Sequence, residues 1–134
     1  MENINIVPKK ILCIEDDEMI RTHLVSGLQD RGYTTLQAEN GEVGYKMALT
    51  EHPDLIVLDE LMPIMNGLEC LRKIREDETW GRNAHVVFFT NNDDIDGVSE
   101  ALALNVTKYI IKSTRSFSDI ITDIHNEITT PSVV

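Results

Sequence analysis

Leu55-Ile56-Val57-Leu58-Asp59-Glu60 is a run of four apolar residues that ends abruptly in two acids. The run is too short for a helix, rich in branched side chains and free of polar alternation, which describes a strand buried on both faces of a parallel sheet. The same shape recurs at Ile11-Leu12-Cys13-Ile14, followed by Glu15-Asp16-Asp17, and at Val86-Val87-Phe88-Phe89, followed by Thr90-Asn91-Asn92. Thr34 to Ala38 and Tyr109-Ile110-Ile111, the latter followed by Lys112-Ser113, complete a set of five candidate strands.

Helix-period segments fill the intervals. Phe117, Ile120, Ile121, Ile124 and Ile128 form one apolar stripe, and Ile20, Leu24 and Leu28 form another with Gly32 as its stop. Leu68, Leu71 and Ile74 follow Gly67, while Ile95, Val98 and Leu102 follow Asn92-Asp93-Asp94, a capping sequence. Gly41 to Thr50 is a weaker helix, with Val43, Met47 and Ala48 expected inward and Gly44 expected to cost stability. Strands alternating with helices predict an α/β fold of right-handed βαβ units: a doubly wound, five-stranded parallel sheet of order 2-1-3-4-5 in three layers, flavodoxin-like. An N-terminal arm over 1–9, one domain over 10–128 and a tail over 129–134 are the expected divisions. Ligands in such folds bind beyond the carboxyl ends of the strands, here between strands 1 and 3.

Composition narrows the function. The 134 residues are 42% hydrophobic and 26% charged, enough apolar surface for one folded domain. Twelve basic against 23 acidic residues leave a net charge of −11, which disfavours direct binding to nucleic acid or to anionic membranes. Cys13 and Cys70 stand in apolar stretches without metal spacing and read as buried reduced thiols. No apolar run has the length of a membrane span and no signal-peptide pattern opens the chain, so a cytoplasmic location is expected.

The expected strand ends bring together carboxylates (Asp16, Asp17, Asp59), a hydroxyl (Thr90) and an ammonium (Lys112). Singly, each has a plain structural reading: an Asp as turn former or cap, Thr90 as a β-former, Lys112 as a solvated strand-end charge. Jointly they describe a site. Two carboxylates 4 Å apart repel by roughly 4 kcal/mol at an effective dielectric of 20, so three need a proton, a cation or an ammonium among them. All-oxygen ligands favour a hard cation, and Mg²⁺ fits best because it keeps waters that phosphate oxygens can replace. A carboxylate flanked by a metal, an ammonium and a hydroxyl is equipped to accept a phosphoryl group as an aspartyl-phosphate.

On these residues the chain resembles the receiver domain of response regulators, the phospho-acceptor half of two-component signalling. The likeness runs from Lys10 to about Ile128 and rests on Ile14-Glu15-Asp16-Asp17, on Leu58-Asp59-Glu60-Leu61-Met62-Pro63-Ile64-Met65-Asn66-Gly67, on Thr90 and on Lys112. The intervals of 42 residues from Asp17 to Asp59, 31 to Thr90 and 22 to Lys112 also resemble that family. The resemblance implies that Asp59 is phosphorylated. It implies that Asp17, Asp59 and the backbone carbonyl of Leu61 touch Mg²⁺, with Asp16 acting mostly through water. Lys112 would pair with the phosphoryl group, Thr90 would swing to bond it, and Tyr109 would turn inward in response, altering a face made of the fourth helix, fifth strand and fifth helix. A sensor histidine kinase or phosphotransfer protein would donate the phosphoryl group and a downstream effector protein would read the change; a homodimer formed on phosphorylation is a further option. Such a protein is not an enzyme as conventionally classed, although it catalyses its own phosphorylation and dephosphorylation. The expectation is a stand-alone regulator; a module of a larger regulator or hybrid kinase and a non-phosphorylated relative are the alternatives.

Three features depart from the family pattern. Ser113 follows Lys112 where the family has a proline in a cis bond, and a cis bond without proline costs roughly 2.5–4 kcal/mol. Asn91 replaces a small residue after Thr90, and Asn105-Val106 replaces Gly-Ala; Asn tolerates the left-handed backbone a glycine would supply. Leu61 and Asn92 match positions flanking the water that hydrolyses the acyl phosphate, so both are expected to set its lifetime. Two other classes share parts of the pattern. A nucleotide hydrolase would need a phosphate loop, which Gly41-Glu42-Val43-Gly44-Tyr45-Lys46 fails by spacing. A flavin-binding protein of the same fold would not place Glu15-Asp16-Asp17 against a phosphate. Trp80 reads as a partly exposed loop aromatic, and His23, His52, His85 and His125 share no ligand spacing.

Overall fold

A computed structural model describes residues 7–91 and 95–129. Strands β1 (Lys10–Ile14), β2 (Thr34–Ala38), β3 (Leu55–Leu58), β4 (Val86–Thr90) and β5 (Lys108–Ile111) alternate with helices α1 (Glu18–Asp30), α2 (Gly41–Glu51), α3 (Gly67–Glu76), α4 (Ile95–Ala103) and α5 (Phe117–Thr129). All strand pairs are parallel and the order is β2-β1-β3-β4-β5, as expected. Among the described residues no helix is long and apolar enough to cross a membrane.

Alternation along the buried strands sends side chains into two cores. Ile11, Cys13, Leu55, Val57, Val87, Phe89 and Ile110 pack with Leu24 and Leu28 of α1 and Ile120, Ile121, Ile124 and Ile128 of α5. Leu12, Ile14, Ile56, Leu58, Val86 and Phe88 pack with Ala48 of α2, Cys70, Leu71 and Ile74 of α3, and Ala101 of α4. The sheet is thus covered on both faces, the condition that lets its strands be continuously apolar. Burial pushes both thiols up to about 12, so Cys13 and Cys70 are inert.

Two helices face the sheet in part differently from expectation, although Ala48 of α2 is buried as expected. In α4, among the described residues, Gly97 and Ala101 are the buried positions, while Leu102 is 57% exposed. In α2, Val43 is exposed, and Gly44 sits against Ile14 where a Cβ would lie 2.5 Å from Cδ1. The absence of a side chain at Gly44 lets α2 reach the sheet. Trp80 stacks on His52, with ring centroids 4.7 Å apart, and packs on the core beside a 3-10 turn at Gly81–Asn83. Asn105 takes the left-handed conformation at φ 61°, as its substitution for glycine requires. The expected cap at Asn92-Asp93-Asp94 lies outside the described residues.

Candidate functional site

The ends of β1 and β3 are tied to each other and to their neighbours. The Asp59 amide donates to the Ile14 carbonyl at 3.0 Å, and the Glu15 amide donates to the Ala38 carbonyl at 3.0 Å. Arg21 of α1 donates to the Glu15 carbonyl at 2.7 Å. The loop after β3 folds back sharply. The Gly67 amide donates to the Glu60 carbonyl at 2.8 Å, so close that a Cβ on Gly67 would fall 2.3 Å from the Asp59 carbonyl oxygen. Pro63 and Asn66 shape the same loop, the Asn66 side chain capping α3 by accepting from the Glu69 amide.

Against this frame stand the charged groups. Glu15, Asp59 and Thr90 are 1%, 4% and 1% exposed, a concentration of buried polar side chains at one sheet edge. Glu15, Asp16 and Asp59 each offer a carboxylate oxygen within 4.8 Å of the others. Lys112 Nζ donates to both Glu15 oxygens, at 2.8 and 2.9 Å, and lies 3.5 Å from Asp59 Oδ1. The ammonium also sits 4.9 Å from the centroid of the Phe89 ring. One ammonium does not balance three carboxylates. Burial first, and then the charge of Glu15, push the Asp59 carboxyl up to about 8, against the pull of Lys112. An excess of negative charge carried wholly by oxygen donors is what a hard divalent cation corrects, so the residues present fit Mg²⁺.

The site differs from the sequence reading in one register step. Asp17 does not join the cluster. It is the N-cap of α1, its Oδ1 accepting from the Ile20 amide at 3.0 Å. Glu15, which had no assigned role, takes the inner place and holds Lys112. The Asp17-to-Ile20 spacing at the head of an apolar stripe is a capping signature and was the available signal. Lys112 reaches the cluster from a 3-10 turn at Lys112–Thr114 with trans peptide bonds, so Ser113 needs no cis bond. Leu61 is 65% exposed on the loop beside Asp59. Asn92 lies outside the described residues.

Tyr109 was expected to turn inward in response to phosphorylation. It is already half-buried, edge-on to Phe88 with centroids 5.7 Å apart, and its hydroxyl donates to Glu60 Oε2 at 2.9 Å. Glu60, which also had no assigned role, is 5% exposed.

The profile of the response regulator receiver domain matches residues 11–125. The transcriptional regulatory protein AfsQ1 of Streptomyces coelicolor is 37% identical over 102 residues, covering 76% of this chain and 44% of that protein. The chain spans less than half the length of the first curated relatives it matches. Two solved structures share the fold: the chemotaxis protein CheY4 of Vibrio cholerae (TM-score 0.81, 22% identity, 90% of this chain and 98% of that one) and the receiver domain of the sensor histidine kinase PA1611 of Pseudomonas aeruginosa (TM-score 0.80, 22% identity, 92% and 100%). The second is described with a magnesium ion coordinated in its active-site cleft.

Proposed function

The chain belongs to the response regulator receiver family, and from that premise we propose that it is a phospho-acceptor whose Asp59 takes a phosphoryl group and thereby controls a partner protein. The carrying observation is the cluster itself: three carboxylates within 4.8 Å, with the Lys112 ammonium 3.5 Å from Asp59.

In the proposed step an Asp59 carboxylate oxygen attacks phosphorus. The bond from phosphorus to the donor breaks, and its electron pair leaves with the imidazole of a phosphohistidine or the carboxylate of a small acyl phosphate. Lys112, held ready by Glu15, pairs with the equatorial phosphoryl oxygens. Thr90, buried at the end of β4, donates its hydroxyl to one of them. Asp16, Asp59 and the Leu61 carbonyl would hold Mg²⁺, with Glu15 just behind, replacing the direct role first expected of Asp17. When bound, Mg²⁺ supplies charge neutralisation for the incoming phosphoryl group. The donor class is a sensor histidine kinase or phosphotransfer protein acting in the cytoplasm, and the readout is an effector protein meeting the face of α4, β5 and α5, without direct contact to nucleic acid or membrane. Phosphorylation would also favour a homodimer where that face is self-complementary.

Intact mass after incubation with acetyl phosphate tests the reading. A gain of one phosphoryl group that requires Mg²⁺ and is absent from Asp59→Asn is expected. An equal gain in the Asp59→Asn protein would place the chemistry elsewhere. No gain from acetyl phosphate or from a phosphorylated kinase would remove the phospho-acceptor role.

A further inference from the structure

Glu60 follows the acceptor residue directly, yet its side chain leaves the acidic cluster and runs under α4. Two elements fit around it. Its carboxylate is buried at 5% exposure; the Tyr109 hydroxyl of β5 bonds it at 2.9 Å; and Gly97 of α4 stands over Oε1, where a Cβ would come within 2.4 Å. A carboxylate withdrawn from water needs hydrogen bonds, and one to an ionised acceptor is about twice as strong as a neutral pair. The Lys112 ammonium is engaged with Glu15 and Asp59, so the tyrosine hydroxyl rather than that ammonium serves Glu60. The ring of Tyr109 also meets Phe88 edge-on, two residues before Thr90 on β4.

We propose that Glu60 is a positioning residue that holds Tyr109 in its packed orientation before any phosphoryl group arrives, so that the tyrosine of this switch is pre-set and not driven into place. The glycine at position 97 belongs to the same device, because a Cβ there would force the carboxylate to shift from its place beside Tyr109. The inference rests on the phospho-receiver reading for the switch it pre-sets, but the packed orientation itself does not depend on phosphorylation. In this chain the phosphoryl group would act mainly on Thr90 and on the position of α4.

Tyrosine-ring NMR of the full chain, with a neutral nitroxide broadening exposed rings, tests it; Tyr33 and Tyr45 report that the fold is intact. Without any phosphoryl donor, Tyr109 should be protected in the natural chain and in Glu60→Gln, whose amide oxygen still accepts. In Glu60→Met the broadening of Tyr109 should rise by about tenfold, the order set by losing one charge-assisted hydrogen bond. Gly97→Ala should release the ring in the same way, which covers the case in which Glu60→Met does not fold. With acetyl phosphate and Mg²⁺, and phosphorylation read by mass, Tyr109 of the natural chain should change by less than about twofold while Glu60→Met regains protection. Free broadening of Tyr109 in the unphosphorylated natural chain, or unchanged protection in both Glu60→Met and Gly97→Ala, would overturn the proposal. A failure to phosphorylate at all would count against the receiver chemistry and leave the unphosphorylated comparison standing.

Discussion

Lys112 carries one positive charge into a group of largely buried carboxylates, bonding Glu15 at 2.8 Å and facing Asp59 at 3.5 Å. Its side chain and that of Glu15 are 11% and 2% exposed, so little solvent screens the pair. Removing one partner of a buried pair leaves the other uncompensated, and Lys112→Met should cost about 3 kcal/mol in urea unfolding as well as abolish phosphorylation. Millimolar Mg²⁺ should return part of that stability, because the cation serves the same carboxylates; an unchanged urea midpoint on substitution would show that the pair contributes nothing. Asp59, Thr90 and Lys112 were legible because each follows an apolar run directly, and the end of a strand is a fixed place. Within Glu15-Asp16-Asp17 the chemistry is identical along the run and only direction differs. Direction is decided by the first turn of α1, which takes Asp17 as its cap. Glu60 was hidden for a related reason. A strand-end acid was legible as polar, but its burial depends on Gly97, which is distant in sequence and close in space.

The junction of β3 with α3 shows how elements set the site. A Cβ on Gly67 would lie 2.3 Å from the Asp59 carbonyl oxygen and 2.8 Å from the Glu60 Cα, both backbone atoms that cannot step aside alone. Gly32, in contrast, has a φ of +91° with open space around it. Gly67→Ala should therefore cost about 3 kcal/mol by overpacking and lose phosphorylation, whereas Gly32→Ala should cost about 1 kcal/mol of backbone strain and leave phosphorylation intact. Denaturant midpoints with acetyl-phosphate labelling of both variants check this, and equal losses in the two would refute the steric account. The positions of the central strands β1, β3 and β4 were legible, because strands buried on both faces leave their mark as unbroken apolar runs. The inward face of α4 was not, and that of α2 only in part: Ala48 was expected inward and is buried, whereas Val43 is exposed. Both helices meet the sheet through small residues, Gly44 and Ala48 in one and Gly97 and Ala101 in the other. Hydrophobic periodicity gives such residues little weight, so it pointed to Val43 and Leu102 instead. Leu102 lies exposed on the helix expected to meet a partner.

For the molecule as a whole, the net charge of −11 and the local excess at Glu15, Asp16 and Asp59 act in the same direction. Any added salt should stabilise an acidic chain slightly by screening self-repulsion, but a cation held by the cluster adds a saturable contribution linked to its own affinity. At a hundred times its dissociation constant that contribution is about 2.7 kcal/mol, or about 10 °C in melting temperature at this chain length. Mg²⁺ should therefore raise the melting temperature well beyond NaCl of equal ionic strength. Asp16→Asn and Asp59→Asn should each remove most of that increment. Asp17→Asn should keep it, since asparagine also caps a helix and the side chain faces the Ile20 amide and not the cluster. The three variants lose the same formal charge, so a general effect of net charge would lower the increment equally in all of them. A loss confined to Asp17→Asn would restore the direct metal role first expected of that residue and move the site one step along the chain. A loss confined to Asp16→Asn and Asp59→Asn would mean that folding, by committing Asp17 to the head of α1, selects which of three adjacent acids reach the cation.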